Sequence, residues 1–112
     1  MSYSFNQVIL MGHVGDEPYV SGEGKKPFAK VSLATNKRYK VDNETKEETH
    51  WHNLVFFNSV AGIVKDYVQK GSKIQVIGEL VDNKWTDKDG QTHTQSNVHV
   101  NQLIMLDKKP KD

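Results

Sequence analysis

Five segments of the chain carry the apolar patterns of β-strands: residues 5–14, 28–36, 47–57, 73–80 and 92–106. In the second segment Ala29, Val31 and Leu33 alternate with Lys30, Ser32 and Ala34, which is the two-residue period of a strand with one buried face. Turn sequences separate the segments, including GDEP after the first and DKDG before the last. The pattern predicts a mainly β protein.

The third segment, EETHWHNLVFF, carries large apolar groups on both faces. Because side chains alternate across a strand, one face presents Trp51, Asn53, Val55 and Phe57, and the other presents His52, Leu54 and Phe56. One face can enter the core. The other must then be covered by a ligand, a partner or a second subunit.

One helix is predicted, over residues 59–70. Its apolar residues fall at the spacing of a single helical stripe: Val60, Ile63, Val64, Tyr67 and Val68. Ser59 can cap the start of this helix, and Gly71 can take the left-handed conformation that ends it.

Five strands with one helix between the third and the fourth predict an all-β fold, a five-stranded Greek-key barrel of the oligonucleotide-binding type. A small sandwich or an SH3-like barrel are the alternatives, but neither accounts naturally for the helix. We expect one domain over residues 1–106 and a short polar tail over residues 107–112, with a loop at residues 20–27 and a polar stretch at residues 41–46.

Composition excludes several classes of protein. The chain of 112 residues has no Cys, so disulfide frameworks and thiolate zinc sites are excluded. It has no secretory signal pattern and no run of roughly 18 apolar residues that could span a membrane, so we expect a cytoplasmic protein without a membrane partner. Catalytic motifs are also missing: there is no nucleophile elbow, phosphate-binding glycine loop or carboxylate cluster, so we expect neither an enzyme nor a cofactor.

Net charge neither indicates nor excludes nucleic acid, because it is only +1 with fifteen basic residues. Their placement is more informative. Lys37, Arg38 and Lys40 surround Tyr39, which interleaves cations with an aromatic ring. A solvated charged loop explains that run equally well when it is taken alone.

Several blocks in the same order resemble the bacterial and phage single-stranded DNA-binding proteins, over about residues 6–106. The blocks are NQVILMGHVGDEP, VSLATN, EETHWHNLVFF, DYVQKGSKIQVIGEL and KWTDKDGQ. The resemblance implies sequence-independent binding and protection of single-stranded DNA in replication, recombination or repair. It also implies that bases stack on Tyr39, Trp51, Phe57 and Trp85.

The resemblance further implies phosphate contacts from the basic residues near these aromatic positions, namely Lys37, Arg38, Lys40, Lys70 and Lys84. The chain departs from the family at three basic positions, where it has Ser59, Val81 and Asn83. Fewer cations release fewer counterions, so we expect a shallower dependence of affinity on salt.

His52 matches a position at the subunit interface of the family, which commonly forms tetramers, so we expect a homo-oligomer and favour a tetramer over a dimer. A hydrogen-bonded histidine on the inner face is the alternative. His50 and His52 have a spacing that could hold a metal, but no third ligand accompanies them, so no metal site is predicted. The acidic C-terminal tip with which the family recruits repair enzymes is not expected here.

Two other functions remain open on the sequence. The barrel could be an assembly module that packs Trp51 and Phe57 against a protein. RNA could replace DNA as the ligand, because stacking and phosphate contacts do not distinguish the two sugars.

Overall fold

The computed structural model describes residues 3–22 and 26–107. In this part of the chain six strands and one helix follow in order: β1 (Val8–Val14), β2 (Tyr19–Ser21), β3 (Phe28–Val41), β4 (Glu44–Phe57), α1 (Asn58–Tyr67), β5 (Lys73–Thr86) and β6 (Thr92–Met105). Residues 108–112 of the predicted tail lie outside the described residues.

Five of the strands close into a barrel. Hydrogen-bonded neighbours run β1-β5-β6-β4-β3, and β3 pairs back to β1 through His13 with Ala34 and Val14 with Leu33. All these pairings are antiparallel except that of β4 with β6. The predicted all-β barrel with one helix is confirmed at this level.

The predicted five-stranded barrel is confirmed, but the chain has a sixth, short strand and the predicted helix position does not match. Residues 19–21 form the short strand β2, which pairs with β3 from Tyr19 opposite Lys30 to Ser21 opposite Phe28. Three residues are too few to show an alternating pattern, and we had assigned residues 20–27 to a loop. The helix consequently follows β4, the fourth strand of the chain, and not the third.

The β3–β4 hairpin is longer than predicted. Its strands pair without interruption from Phe28 opposite Phe57 to Val41 opposite Glu44, so the turn consists of Asp42 and Asn43 alone. Both turn residues have positive φ, at 51° and 67°, as a two-residue hairpin turn requires. Most of the polar stretch at residues 41–46 is therefore strand.

The core lies inside the barrel and is built by the predicted alternation. Ala29, Val31 and Leu33 of β3 are buried, as are Leu54 and Phe56 of β4. Alternate residues of β5 and β6 complete it: Ile74, Val76, Val98 and Val100. Burial of each large apolar side chain contributes about 1.5–3 kcal/mol.

Helix α1 closes the barrel with Ala61 and Val64, which are buried together with Val68 just beyond the helix. The predicted stripe was wrong at Ile63 and Tyr67, which are 39% and 68% exposed, because Ala61 takes the core position on the first turn. The predicted end at residue 70 was also wrong, since Val68 has an extended backbone.

Both predicted helix caps were wrong. The N-cap residue is Phe57, with no side-chain hydrogen bond, so Ser59 does not cap the helix. Gly71 has the expected positive φ of 91° but lies in the turn after Val68, where its N–H donates to the carbonyl of Val14 at 2.8 Å. Within the described residues no helix is long and apolar enough to cross a bilayer.

Candidate nucleic-acid interface

The outer side of β4 carries two exposed aromatic rings. Trp51 is 60% exposed and Phe57 is 45% exposed, whereas Leu54 and Phe56 between them point into the core. This confirms the predicted division of the strand into two faces, although Val55 on the outer side is buried by the chain itself. Trp51 packs over Gly15, where a side chain would collide with the indole ring.

Trp85 of β5 joins this side of the sheet through the strand register. Asn53 of β4 pairs with Asn97 of β6, and two residues farther on Gln95 of β6 pairs with Asn83 of β5. Trp85 lies two residues beyond Asn83, on the same parity, and is 47% exposed. Trp51, Phe57 and Trp85 therefore share one side of the sheet, which we call the aromatic face.

Tyr39 is not brought onto the aromatic face by its register. Tyr39 pairs with Lys46 of β4. Counting along β3 in steps of two, Tyr39 falls on the same side as the core residue Leu33. Lys30, which pairs with Val55, falls on the outer side. Tyr39 is half-buried on the opposite side of the β3–β4 hairpin from Trp51.

The predicted basic residues are divided between the two sides of the hairpins. Arg38 and Lys40 have the parity of the aromatic face, whereas Lys37 has the parity of Tyr39. Lys84 pairs with Thr94 on the side opposite Trp85. The fifth residue, Lys70, is exposed in the segment after α1, and its backbone N–H donates to Glu17 Oε1 at 3.4 Å.

Arg38 forms a loose ion pair with Glu47, at 3.9 Å between Nε and Oε2. The two side chains are 77% and 49% exposed, so solvent screens the pair and it contributes little to stability. The guanidinium group can exchange this partner for a phosphate at small cost. Arg38 is therefore the predicted cation best placed beside the aromatic face.

His52 makes a hydrogen bond of 2.9 Å between Nε2 and Oγ1 of Thr35, and it is half-buried. This geometry suits the alternative of a hydrogen-bonded inner histidine, and its location at a subunit interface stays a prediction. His50 lies 3.3 Å from Glu48. No three potential metal ligands cluster within residues 3–22 and 26–107.

Two histidines that the sequence reasoning passed over lie against the aromatic face. The His93 ring stacks on Trp85 with centroids 5.3 Å apart, and the His99 ring meets Phe57 edge-on at 5.2 Å. The contact between His93 and Trp85 could have been predicted from the sequence. The turn at residues 87–90 fixes the hairpin register, and counting outward from it places His93 opposite Trp85.

Phe28 and Lys30 were also missed. Phe28 pairs with Phe57 across β3 and β4, and Lys30 Nζ lies 5.9 Å from the centroid of the Phe28 ring. Both residues line a depression beside Phe57 and His99. An ammonium group beside two aromatic rings can bind a phosphate while the rings stack with bases.

The hairpin that carries Trp85 contains a carboxyl group, that of Asp87, whose pKa is lowered. His93 Nε2 donates to Asp87 Oδ2 at 2.7 Å, and this bond lowers the pKa of Asp87. Backbone N–H groups of Gln91 and Asp89 donate to the same carboxylate and lower its pKa further. The ionised form of Asp87 thus holds the turn and His93 together.

Comparison with known proteins shows the family to which the chain belongs. A model of the "Single-strand binding protein family" matches residues 5–106. Single-stranded DNA-binding proteins of Rickettsia typhi and Rickettsia prowazekii are each 42% identical over 118 residues, which cover 97% of this chain and 77% of the relative.

A solved structure gives the same result. It is described as a Plasmodium falciparum SSB complex with ssDNA and superposes with a TM-score of 0.86 at 32% sequence identity, covering 96% of this chain and 99% of the other. The family resemblance expected from the sequence is confirmed. The chain belongs to the single-strand binding protein family.

Proposed function

We propose that the chain binds single-stranded DNA across the aromatic face without catalysing a reaction. The observation that carries this proposal is the presence of three exposed aromatic rings, Trp51, Phe57 and Trp85, on one side of one sheet. Every base has a flat apolar face that can stack on such rings, so this mode of binding tolerates any sequence. For proteins of this family, stacking contributes about 1–3 kcal/mol per base.

The sugar-phosphate backbone is contacted by basic residues around the face. Arg38 and Lys40 lie on its side of the β3–β4 hairpin, and Lys30 lies beside Phe57. Lys37, Lys70, Lys84 and the ring of Tyr39 contact DNA that passes around the edges of the hairpins. A strand that wraps around the barrel in this way reaches both sides of each hairpin.

The biological role that follows is protection of exposed single strands during replication, recombination or repair. The protein would act on DNA in the cytoplasm of a bacterial or phage-infected cell, at the nucleoid. The family relationship supports this role.

Self-association is the second part of the proposal. β1 and its neighbours carry apolar side chains on the outer side of the barrel: Ile9 at 57%, Met11 at 54% and Ile104 at 39% exposure. Ile9 of β1 pairs with Ile77 of β5. Gln75 of β5 pairs on one side with Met11 and on the other with Ile104 of β6. The four apolar residues Ile9, Met11, Ile77 and Ile104 therefore form one patch. Such a patch favours a homo-oligomer, a tetramer in our proposal, with His52 at an interface between subunits.

The test is a titration with a fluorescein-labelled oligo(dT), followed by anisotropy, for the wild type and for W51A/W85A. We expect salt-sensitive binding by the wild type, no comparable binding of duplex DNA, and a loss of at least tenfold in the double variant. Tyr67→Ala is the matched control, because Tyr67 is an exposed ring on α1, outside the aromatic face.

Undiminished binding by folded W51A/W85A would overturn the assignment of the face. No binding by the wild type at low salt would favour the assembly module, whose aromatic rings pack against a protein. Titration with oligo(U) of the same length decides between DNA and RNA.

A further inference from the structure

The aromatic face contains a groove lined by carboxamides. Asn53 and Asn97 form one cross-strand pair between β4 and β6, and Gln95 and Asn83 form the next pair between β6 and β5. All four residues line the same open groove, together with Tyr19 and Lys30. We call it the amide groove.

These amides are unsatisfied by the protein itself. Within residues 3–22 and 26–107, none of the four side chains hydrogen bonds to another protein group. Asn53, Asn83 and Gln95 are exposed and Asn97 is half-buried. Each carboxamide offers an oxygen acceptor and two N–H donors, so the groove presents donors and acceptors side by side.

The charges around the groove disfavour a phosphate as its occupant. Asp16 and Glu17 line the groove, and Lys30 is the sole Lys or Arg among the described residues that line it. Two carboxylates repel a phosphate. Neutral donor–acceptor pairs suit the edge of a base, on which donors and acceptors also lie side by side.

A stacking ring lies next to the amides. Phe57 and His99 line a second depression that also includes Asn83 and Asn97. Asn83 and Asn97 line both depressions, so a base stacked on Phe57 lies next to these two amides.

We propose that the amide groove binds the hydrogen-bonding edge of an unpaired base whose ring stacks on Phe57. This inference rests on the proposed function and adds to it, since stacking alone ignores base edges. It also gives the chain, whose net charge is only +1, a contact with DNA that does not depend on charge. Duplex DNA is excluded from this contact because its base edges are already paired.

The experiment compares two oligomers of equal length, oligo(dT) and the same oligomer with every thymine replaced by 2,4-difluorotoluene. This isostere keeps the shape, the stacking surface and the phosphates of thymidine but lacks its hydrogen-bonding edge. We expect the wild type to bind the isostere about fivefold to tenfold more weakly than oligo(dT). N83A/N97A should bind the two oligomers equally.

The control is N101A, which removes an exposed amide of β6 that does not line the groove and should keep the wild-type discrimination. Equal binding of both oligomers by the wild type, or undiminished discrimination by N83A/N97A, would overturn the amide groove. Failure of the proposed function looks different, because the wild type would then bind neither oligomer.

Discussion

The indole of Trp85 and the imidazole of His93 stack across the β5–β6 hairpin, with their planes inclined by 25°. Asp87 at the turn accepts a hydrogen bond from the same imidazole at 2.7 Å. One face of the indole is thus covered by its own hairpin, while the side chain stays 47% exposed. The uncovered face is oriented before any base arrives, which lowers the ordering cost of binding.

His93→Ala should weaken the binding of oligo(dT) by about 2-fold to 10-fold, because a stacked aromatic pair contributes about 0.5–1.5 kcal/mol beyond its buried area. His93→Phe keeps a ring over Trp85 and should retain most of the affinity. The measurement is anisotropy with labelled oligo(dT). A folded H93A protein with wild-type affinity would show that His93 does not position Trp85.

Asp87→Asn should remove a part of the acid sensitivity of folding. The pKa of Asp87 is lowered in the folded protein, first by the hydrogen bond from His93, so the ionised carboxylate stabilises the fold. That stabilisation is present above the unfolded-state pKa, about 3.9 for Asp, and is lost as pH falls through the lower folded-state pKa. Urea denaturation of wild type and D87N between pH 7 and pH 2.5 measures the difference.

The D87N prediction has a matched control in the same turn. Asp89 is exposed, and its carboxylate makes no hydrogen bond among the described residues, although its backbone N–H donates to Asp87. D89N should therefore follow the wild-type curve. If D87N also follows the wild-type curve down to pH 2.5, the Asp87 carboxylate does not stabilise the hairpin.

Gly15→Ala should weaken DNA binding while changing stability little. A Cβ at residue 15 would collide with the far end of the Trp51 indole, which is exposed and can rotate away. The substitution therefore displaces a stacking ring without disturbing the core. Affinity for oligo(dT) should fall toward that of W51A, and the two substitutions together should be no worse than W51A alone. Additive losses would mean that Gly15 acts separately from Trp51.

The sequence predicted what depends on alternation and missed what depends on register and on short elements. Leu54 and Trp51 were assigned to opposite faces correctly, because side-chain parity is a local property of a strand. The position of Tyr39 relative to Trp51 depends on the pairing of β3 with β4, which parity within one strand cannot give.

Packing between elements explains the errors at the helix. The helical spacing of apolar residues placed Tyr67 on the buried side of the helix. In the structure the helix packs against the barrel through Ala61 and Val64. A small residue was needed where the helix approaches the sheet closely. The need for a small residue at this position cannot be predicted from the helix sequence alone, because it depends on which strands pack against the helix.

Two glycines should respond to alanine in opposite ways. The Cβ position at Gly62 in α1 is open, and alanine there should stabilise the protein by about 0.5–1 kcal/mol through its higher helix propensity. At Gly78 a Cβ would collide with the backbone of His99 at the β5–β6 bulge, so alanine should destabilise the fold. Thermal unfolding measures both variants. A lower melting temperature for G62A, or an unchanged one for G78A, would contradict this account of the packing.

Asn83→Arg should steepen the salt dependence of DNA binding. Asn83 is exposed on the aromatic face, two residues from Trp85 and on the same parity. An arginine side chain is longer than that of Asn83, so its guanidinium should extend out of the amide groove toward the phosphates that flank a bound base. Each added phosphate contact releases condensed counterions and raises the slope of log K against log salt by about 0.7 for a single strand. Affinities for oligo(dT) at four salt concentrations give the slope.

Asn101→Arg adds the same charge outside the amide groove and should leave the slope near the wild-type value. Parallel lines for the wild type and N83R would place the DNA phosphates out of reach of the N83R guanidinium. Equal steepening in both variants would mean that net charge and not position sets the slope.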